Sequence, residues 1–201
     1  MLISKKRRIG VSRQIWLVVL FAFFSHQPQA YAAEQEIVTA CSIVSAADAE
    51  KFVGGPLEIK EFAKVPLANG PETYTSTCTY IAKGGDFNDA FAAPRLVDLT
   101  LHFLDTKEAM AAIYENSIVQ YSQAIKSPDT PLINATITPL SGFGDKAFVL
   151  EALTDKKTGY KSVLIVFYKG KIGGSIGAWK KPESSLETTK AVLSYILRKL
   201  P

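Results

Sequence analysis

The amino-acid sequence predicts an α+β fold: a largely antiparallel sheet with helices packed on one face, in the order α-βββ-α-βββ-α. Three observations carry that reading. Segments of strand length alternate polar and apolar residues and are joined by short, turn-like connections that suit hairpins. Two longer segments place their apolar residues at helical spacing instead. The chain has 201 residues, 47% hydrophobic and 21% charged. That is enough to bury one core, and it is unlike a disordered, collagen-like or coiled-coil composition.

Taken in order, Ser45 followed by Asp48 makes an N-cap with an acidic first turn, which predicts a short helix over Ala46–Val53. Gly54-Gly55-Pro56 ends it. Leu57–Val65 alternates as a strand, and Pro66–Pro71 carries the turn signal Asn69-Gly70. Thr73–Ala82 is the clearest strand, with Tyr74, Ser76, Cys78 and Tyr80 on one face and Thr73, Thr75, Thr77 and Thr79 on the other. Lys83–Pro94 reads as a loop. In the strand Arg95–Leu104, Val97, Leu99, Leu101 and Phe103 point inward and Asp98, Thr100 and His102 outward.

Thr106 caps a helix to about Ala124, with Met110, Ile113, Tyr114, Ile118 and Tyr121 at helical spacing. Lys126–Leu140 holds three prolines and no period, and reads as a surface connection. The turn Ser141–Asp145 leads into the strand Lys146–Leu153, and Asp155–Tyr160 turns the chain again. Ser162–Tyr168 is nearly all apolar, as in a central strand. Lys169-Gly170 turns into a partner strand, Lys171–Trp179. Pro182 opens the last helix, whose apolar face holds Leu186, Val192, Leu193, Ile196, Leu197 and Leu200. Each half ends in a strand followed by a helix, which hints at an internal duplication.

The first 32 residues read as a secretory signal peptide. Lys5, Lys6, Arg7, Arg8 and Arg13 precede the apolar run Ile15–Phe24, and Ala30-Tyr31-Ala32 supplies a small-residue cleavage site. The run is half the roughly 20 residues a membrane span needs. Arg7-Arg8 resembles a twin-arginine signal, but Gly10 occupies a position that wants a large apolar residue. The expected organisation is a leader over 1–32, a flexible lead-in over 33–40 and one α+β domain over 41–201. The whole chain has 23 basic and 19 acidic residues; without the leader's five cations, 18 face 19. No cationic footprint for nucleic acid or anionic lipid remains. The expected localisation is periplasmic or extracellular, with no stable membrane insertion after cleavage.

Cys41 and Cys78 are the only cysteines. In an oxidising compartment an even pair suits one disulfide. A redox role would want a C-x-x-C pair, and a thiolate nucleophile a neighbouring base. Val38-Thr39-Ala40-Cys41 looks like a lipobox, but Glu34 and Glu36 separate it from the apolar run, so Cys41 reads as non-lipidated.

Three segments carry a resemblance: Cys41-Ser42-Ile43-Val44-Ser45 before an Ala/Asp/Glu-rich helix, Cys78-Thr79-Tyr80 in a strand, and Gly142-Phe143-Gly144-Asp145-Lys146-Ala147-Phe148 before an apolar strand, a Lys-Gly turn and a last helix. The chain resembles bacterial exported domains of unknown function, of the actinobacterial surface-lipoprotein and extracellular sensor-like type. The resemblance implies an α+β fold with a Cys41–Cys78 bridge and no established activity. The missing lipobox departs from the lipoprotein members.

The candidates for chemistry are few. His102 is the one histidine beyond the leader. Thr100 and Asp98 share its strand face, but such neighbours stand about 7 Å apart, so His102 reads as an exposed strand residue. Asp86-Phe87-Asn88-Asp89 begins like a calcium loop, but Ala90 and Phe91 fall where a ligand and a glycine belong. Asp86, Phe87, Asp89 and Phe91 then form a possible contact loop, or the two rings plug the sheet edge. Gly142 and Gly144 enter a strand rather than a helix, which argues against a phosphate cradle. Gly170, Gly173, Gly174 and Gly177 suit bulges or close packing, or a ligand approaching a bare strand. Asn134-Ala135-Thr136 fits a glycosylation acceptor only in a eukaryotic host. No catalytic, metal or cofactor site is assigned.

The leading expectation is therefore an exported, non-enzymatic envelope domain that binds a protein partner or small ligand. The alternatives are a secreted hydrolase using acidic residues such as Asp86, Asp89 or Asp145, and a membrane-tethered structural envelope protein.

Overall fold

The computed structural model describes residues 38–66, 73–87, 93–127, 133–155, 160–181 and 185–201. The expected leader, the Asn69-Gly70 turn, Asp89, Phe91 and Pro182 lie outside the described residues. The elements are α1 (Ala40–Ile43), α2 (Ala46–Val53), β1 (Leu57–Pro66), β2 (Tyr74–Ala82), β3 (Arg95–Phe103), α3 (Lys107–Lys126), β4 (Ile133–Leu140), β5 (Lys146–Asp155), β6 (Tyr160–Lys169), β7 (Ile172–Lys180) and α4 (Ser185–Lys199). The seven strands form one antiparallel sheet in the order β1-β2-β3-β7-β6-β5-β4. The α+β class and the antiparallel sheet agree with the sequence reading; the element order does not.

The order differs because Ile133–Leu140, read as a surface connection, is an edge strand. Its alternation is hidden. Asn134 sits at φ 51°, the register with β5 shifts between Ile133 and Thr136, and Pro139 interrupts the pattern. An edge strand tolerates each of these, because one of its sides has no ladder to complete. Ala135 and Ile137 still turn inward against α3.

The helices also do not share one face. On one side of the sheet, Val97, Leu99 and Leu101 of β3, Val163, Ile165 and Phe167 of β6, and Ile176 and Ala178 of β7 form the main core with α1, α2 and α4. On the other side, Met110 and Tyr114 of α3 pack on Phe148, Leu150, Val166 and Tyr168. Strands β5 and β6 are covered on both faces, which explains why Ser162–Tyr168 is continuously apolar. A two-fold relating β3 to β7 would put α3 and α4 on the same face. They lie on opposite faces, so the suggested duplication does not describe the fold.

One column of β2 ties down the N-terminal helices. Tyr74 Oη donates to Val38 O (2.7 Å), Ser76 Oγ accepts from Ala40 N (2.9 Å), and the Tyr80 hydroxyl donates to Val44 O. Between them Cys78 forms the disulfide to Cys41, with Cα atoms 5.2 Å apart. These are the four residues that strand alternation places on one face. Thr39 and Ser45 each cap a helix with a reciprocal box. Thr39 and Ala40 thus belong to α1 and its cap, at the end of the segment read as a lead-in.

Asp48 joins α2 to α4. Its carboxyl lies well below the usual range, held there first by the Ser45 hydroxyl, then by Tyr195 and Lys51. Lys199 stands 3.6 Å away and donates to Ile43 O at 2.9 Å. The disulfide closes a 37-residue separation. Replacing Cys41 and Cys78 together with Ser should lower unfolding free energy by about 4 kcal/mol on the chain-entropy account. Chemical denaturation measures this directly, and a loss under about 1 kcal/mol would contradict it.

Candidate functional site

The β6–β7 ladder runs only from Ile165 opposite Ile176 to Lys169 opposite Ile172. Beyond Ile165 the two strands no longer pair, although β7 stays paired with β3 and β6 with β5. A strand separation inside a sheet exposes backbone N–H and C=O groups that must find other partners. The fully buried Thr189 of α4 supplies them for Ala178. Its Oγ1 accepts from Ala178 N (3.1 Å), and its proton is shared between Ala178 O (2.8 Å) and Ser185 O (2.6 Å). Ser185 Oγ likewise donates to Lys161 O on β6 at 3.2 Å.

On the opposite face, over this separation, lies a pocket of about 390 Å³. Gly177, Val163 and Leu164 line it where the strands part. Leu96 and Trp179 come from β3 and β7, Leu150 and Ala152 from β5, and Tyr121 from the C-terminal half of α3. Trp179 is fixed by its indole N–H, which donates to Ala93 O at 3.0 Å. Phe87 closes one side, with Lys60 Nζ 5.8 Å from its ring centroid. The volume falls within the range of small-molecule sites.

One acidic side chain sits among these apolar walls. Asp98 lies opposite Gly177 in the β3–β7 register and opposite Thr79 in the β2–β3 register. Thr79 Oγ1 donates to Asp98 Oδ1 at 2.6 Å, and this is the carboxyl's one hydrogen bond among the described residues. Burial raises the Asp98 pKa, and the Thr79 bond only partly opposes it.

Asp98 ends a polar stripe along β2 and β3. Thr77 Oγ1 and Thr100 Oγ1 are 3.1 Å apart, and Thr75 Oγ1 lies 2.9 Å from His102 Nδ1. His102 is half-buried under α3, not exposed, and burial lowers its pKa. It lines a smaller cavity of about 90 Å³ with Met110 and Tyr114; Tyr121 borders both cavities. Asp98 stands four residues away along the same strand, roughly 13 Å by strand rise, so the two form no catalytic pair.

The other sequence candidates scatter. Phe87 joins the pocket, while Asp86 is exposed. Asp145 lies at the opposite end of the sheet from Asp86, before β5. It bonds Lys107 (3.0 Å) and accepts from Gly170 N (3.0 Å), and Lys107 foremost holds its pKa down. Asp86 and Asp145 therefore cannot act as one acid–base pair. The four glycines separate by role. Gly170 occupies a turn at φ 60°. A Cβ on Gly173 would collide with Met110 Sδ, and one on Gly174 with Thr100 O. A Cβ on Gly177 would approach nothing closer than Val163 O at 3.4 Å, and a side chain there would point into the pocket.

Sequence reasoning missed Asp98 as a pocket residue and missed Thr189 altogether. Thr189 carries a legible signal, as a small polar residue within the apolar stripe Leu186–Val192–Leu193. Among the described residues no group of three His, Cys, Asp or Glu is arranged to hold a metal ion. The chain matches no protein-family model, no curated protein and no solved structure.

Asp98→Asn should raise the melting temperature near neutral pH. Asn keeps the Thr79 bond and removes a desolvated charge. The carboxyl's raised folded-state pKa means that this penalty is full above that pKa. It disappears below about pH 4, where Asp is protonated folded or unfolded. The gain should be about 2–4 °C for each kcal/mol relieved. Melting curves at pH 7 and pH 3 check it: a lower melting temperature for the variant at pH 7 would refute the burial argument.

Proposed function

We propose that this chain is an exported, non-enzymatic domain of the cell envelope that binds a small, largely apolar ligand in the pocket between the sheet and α3. The observation that carries the reading is the strand separation itself. Pairing is given up in the middle of the sheet, a helix side chain is recruited to satisfy the backbone, and a concave apolar space results.

Three further features support binding over hydrolysis. Among its described lining residues the pocket holds one carboxyl, whereas acid–base hydrolysis by carboxylates uses two that face a common substrate. Asp86 and Asp145 stand at opposite ends of the sheet, and His102 pairs with Thr75. The walls combine aliphatic and aromatic groups from four strands and a helix, the composition typical of a ligand site. Export is supported by the leader pattern and by a disulfide that suits an oxidising compartment. Among the described residues no helix is long and apolar enough to cross a membrane.

Binding is tested with N-phenyl-1-naphthylamine, a neutral apolar dye that brightens when it leaves water. The protein should bind it saturably at one site. Gly177→Leu should abolish that site while leaving the melting temperature within a few degrees, since the new side chain fills the pocket and not the backbone space. Equal dye binding by wild type and variant would overturn the assignment. Export is tested separately by intact-mass spectrometry of the protein recovered from its native cells. A chain beginning at Ala33 or Glu34 is expected; retention of residues 1–32 would refute leader cleavage.

A further inference from the structure

We propose that the pocket's ligand is a primary or secondary amine on an apolar body, its ammonium seated against the Asp98 carboxyl. This inference rests on the binding reading above and adds the chemical class. Asp98 is the one acidic side chain among the pocket's described lining residues, and Thr79 meets only Oδ1. Thr79 donates to that oxygen, so the carboxyl is held as an acceptor, with Oδ2 given no partner by any described residue.

The candidate occupants differ in what they do to that group. A hydrocarbon would exclude water and leave the carboxyl unsatisfied in apolar surroundings, which is unfavourable. A carboxylate ligand would bring like charges together. An alcohol would donate one hydrogen bond but leave the charge uncompensated. An ammonium does both, and charge-assisted bonds of this kind are about twice as strong as neutral ones. Trp179, Tyr121 and Phe87 line the same pocket as the carboxyl, and ring faces attract a cation.

Lys60 is the other charged residue of the described lining. It is exposed, and its backbone pairs with Thr79, two strands from Asp98 and so about 10 Å away in the sheet. Its charge is screened by solvent more strongly than that of the half-buried Asp98. Burial also raises the Asp98 pKa, and a bound cation would lower it again.

Three isosteric probes test the class: 4-phenylbutylamine, 4-phenylbutanol and 4-phenylbutyrate. Each is titrated into the full disulfide-bonded protein and followed by the Trp179 indole N–H resonance, assigned with Trp179→Phe. The amine should bind about tenfold more tightly than the alcohol, and the carboxylate most weakly. Asp98→Asn should weaken the amine about tenfold and leave the alcohol within about threefold. The amine's affinity for wild type should fall as pH drops through the Asp98 titration, and that of the alcohol should not.

Equal affinities for all three probes, abolished by Gly177→Leu, would leave the pocket standing and overturn the amine class. So would an amine preference that survives in Asp98→Asn. If none of the three shifts the indole resonance and the dye also fails to bind, the pocket and its ligand class fall together.

Discussion

The site depends on one constraint: a sheet that stops pairing partway must still satisfy its backbone. Strands β6 and β7 separate beyond Ile165 and Ile176, inside a sheet whose other ladders continue. Unpaired amides buried under α4 would be strongly unfavourable. Thr189 resolves this at Ala178 with one hydroxyl that both accepts and donates, and Ser185 assists at Lys161. The two residues lie one helical turn apart, so α4 presents both to the opened strands. The separation is thus supported from below, and the face above it is left concave.

The asymmetry of the two faces follows from the path of the chain. The disulfide and the β2 column pull α1 and α2 onto the face that already carries α4, so that face is closed from β2 to β5. Among the described helices the other face receives only α3, which crosses from the end of β3 to the start of the far edge strand β4 and packs on β4, β6 and β7. On that face β2 and β3 carry the Thr–His–Asp stripe, half-buried where β5 and β6 are apolar. The pocket lies at the junction, where α3 ends, the polar stripe begins and the strands part.

Strand alternation and helical spacing made most of the architecture readable. The caps at Ser45 and Thr106, the two-faced pattern of β2 and the central character of β6 are local properties of sequence. Strand β4 was not readable, because a left-handed Asn, a register shift and a proline erase its period, and an edge position forgives all three. The second face was hidden for another reason. Helical spacing shows that Met110 and Tyr114 are buried, but not against which side of the sheet. Asp98 was legible as a polar strand residue and nothing more, since the pocket it lines is built with Trp179, Tyr121 and Leu150, far away in sequence. His102 was misread in the same way, because α3 covers it. Phe87 was legible as an apolar residue in a polar loop, which is the one sequence signal that led directly to the pocket wall.

Asp98 is the residue whose presence stability does not explain. Two other acidic groups improve the fold: Asp48 completes a cap and meets Lys199, and Asp145 ties a turn to Lys107. Both are held below their ordinary pKa, which means that their ionised forms favour the native state. Asp98 runs the other way, since burial makes its ionised form disfavour the native state. An asparagine would keep the Thr79 contact without the charge, and a threonine would extend the neighbouring stripe. Folding physics therefore supplies no reason for a carboxyl at this point, and residues that break a local rule without a structural gain concentrate where a protein meets its ligand. A half-buried acid opposite a glycine, in a pocket with aromatic lining over an opened strand pair, is arranged to be completed by a positive charge from outside the chain.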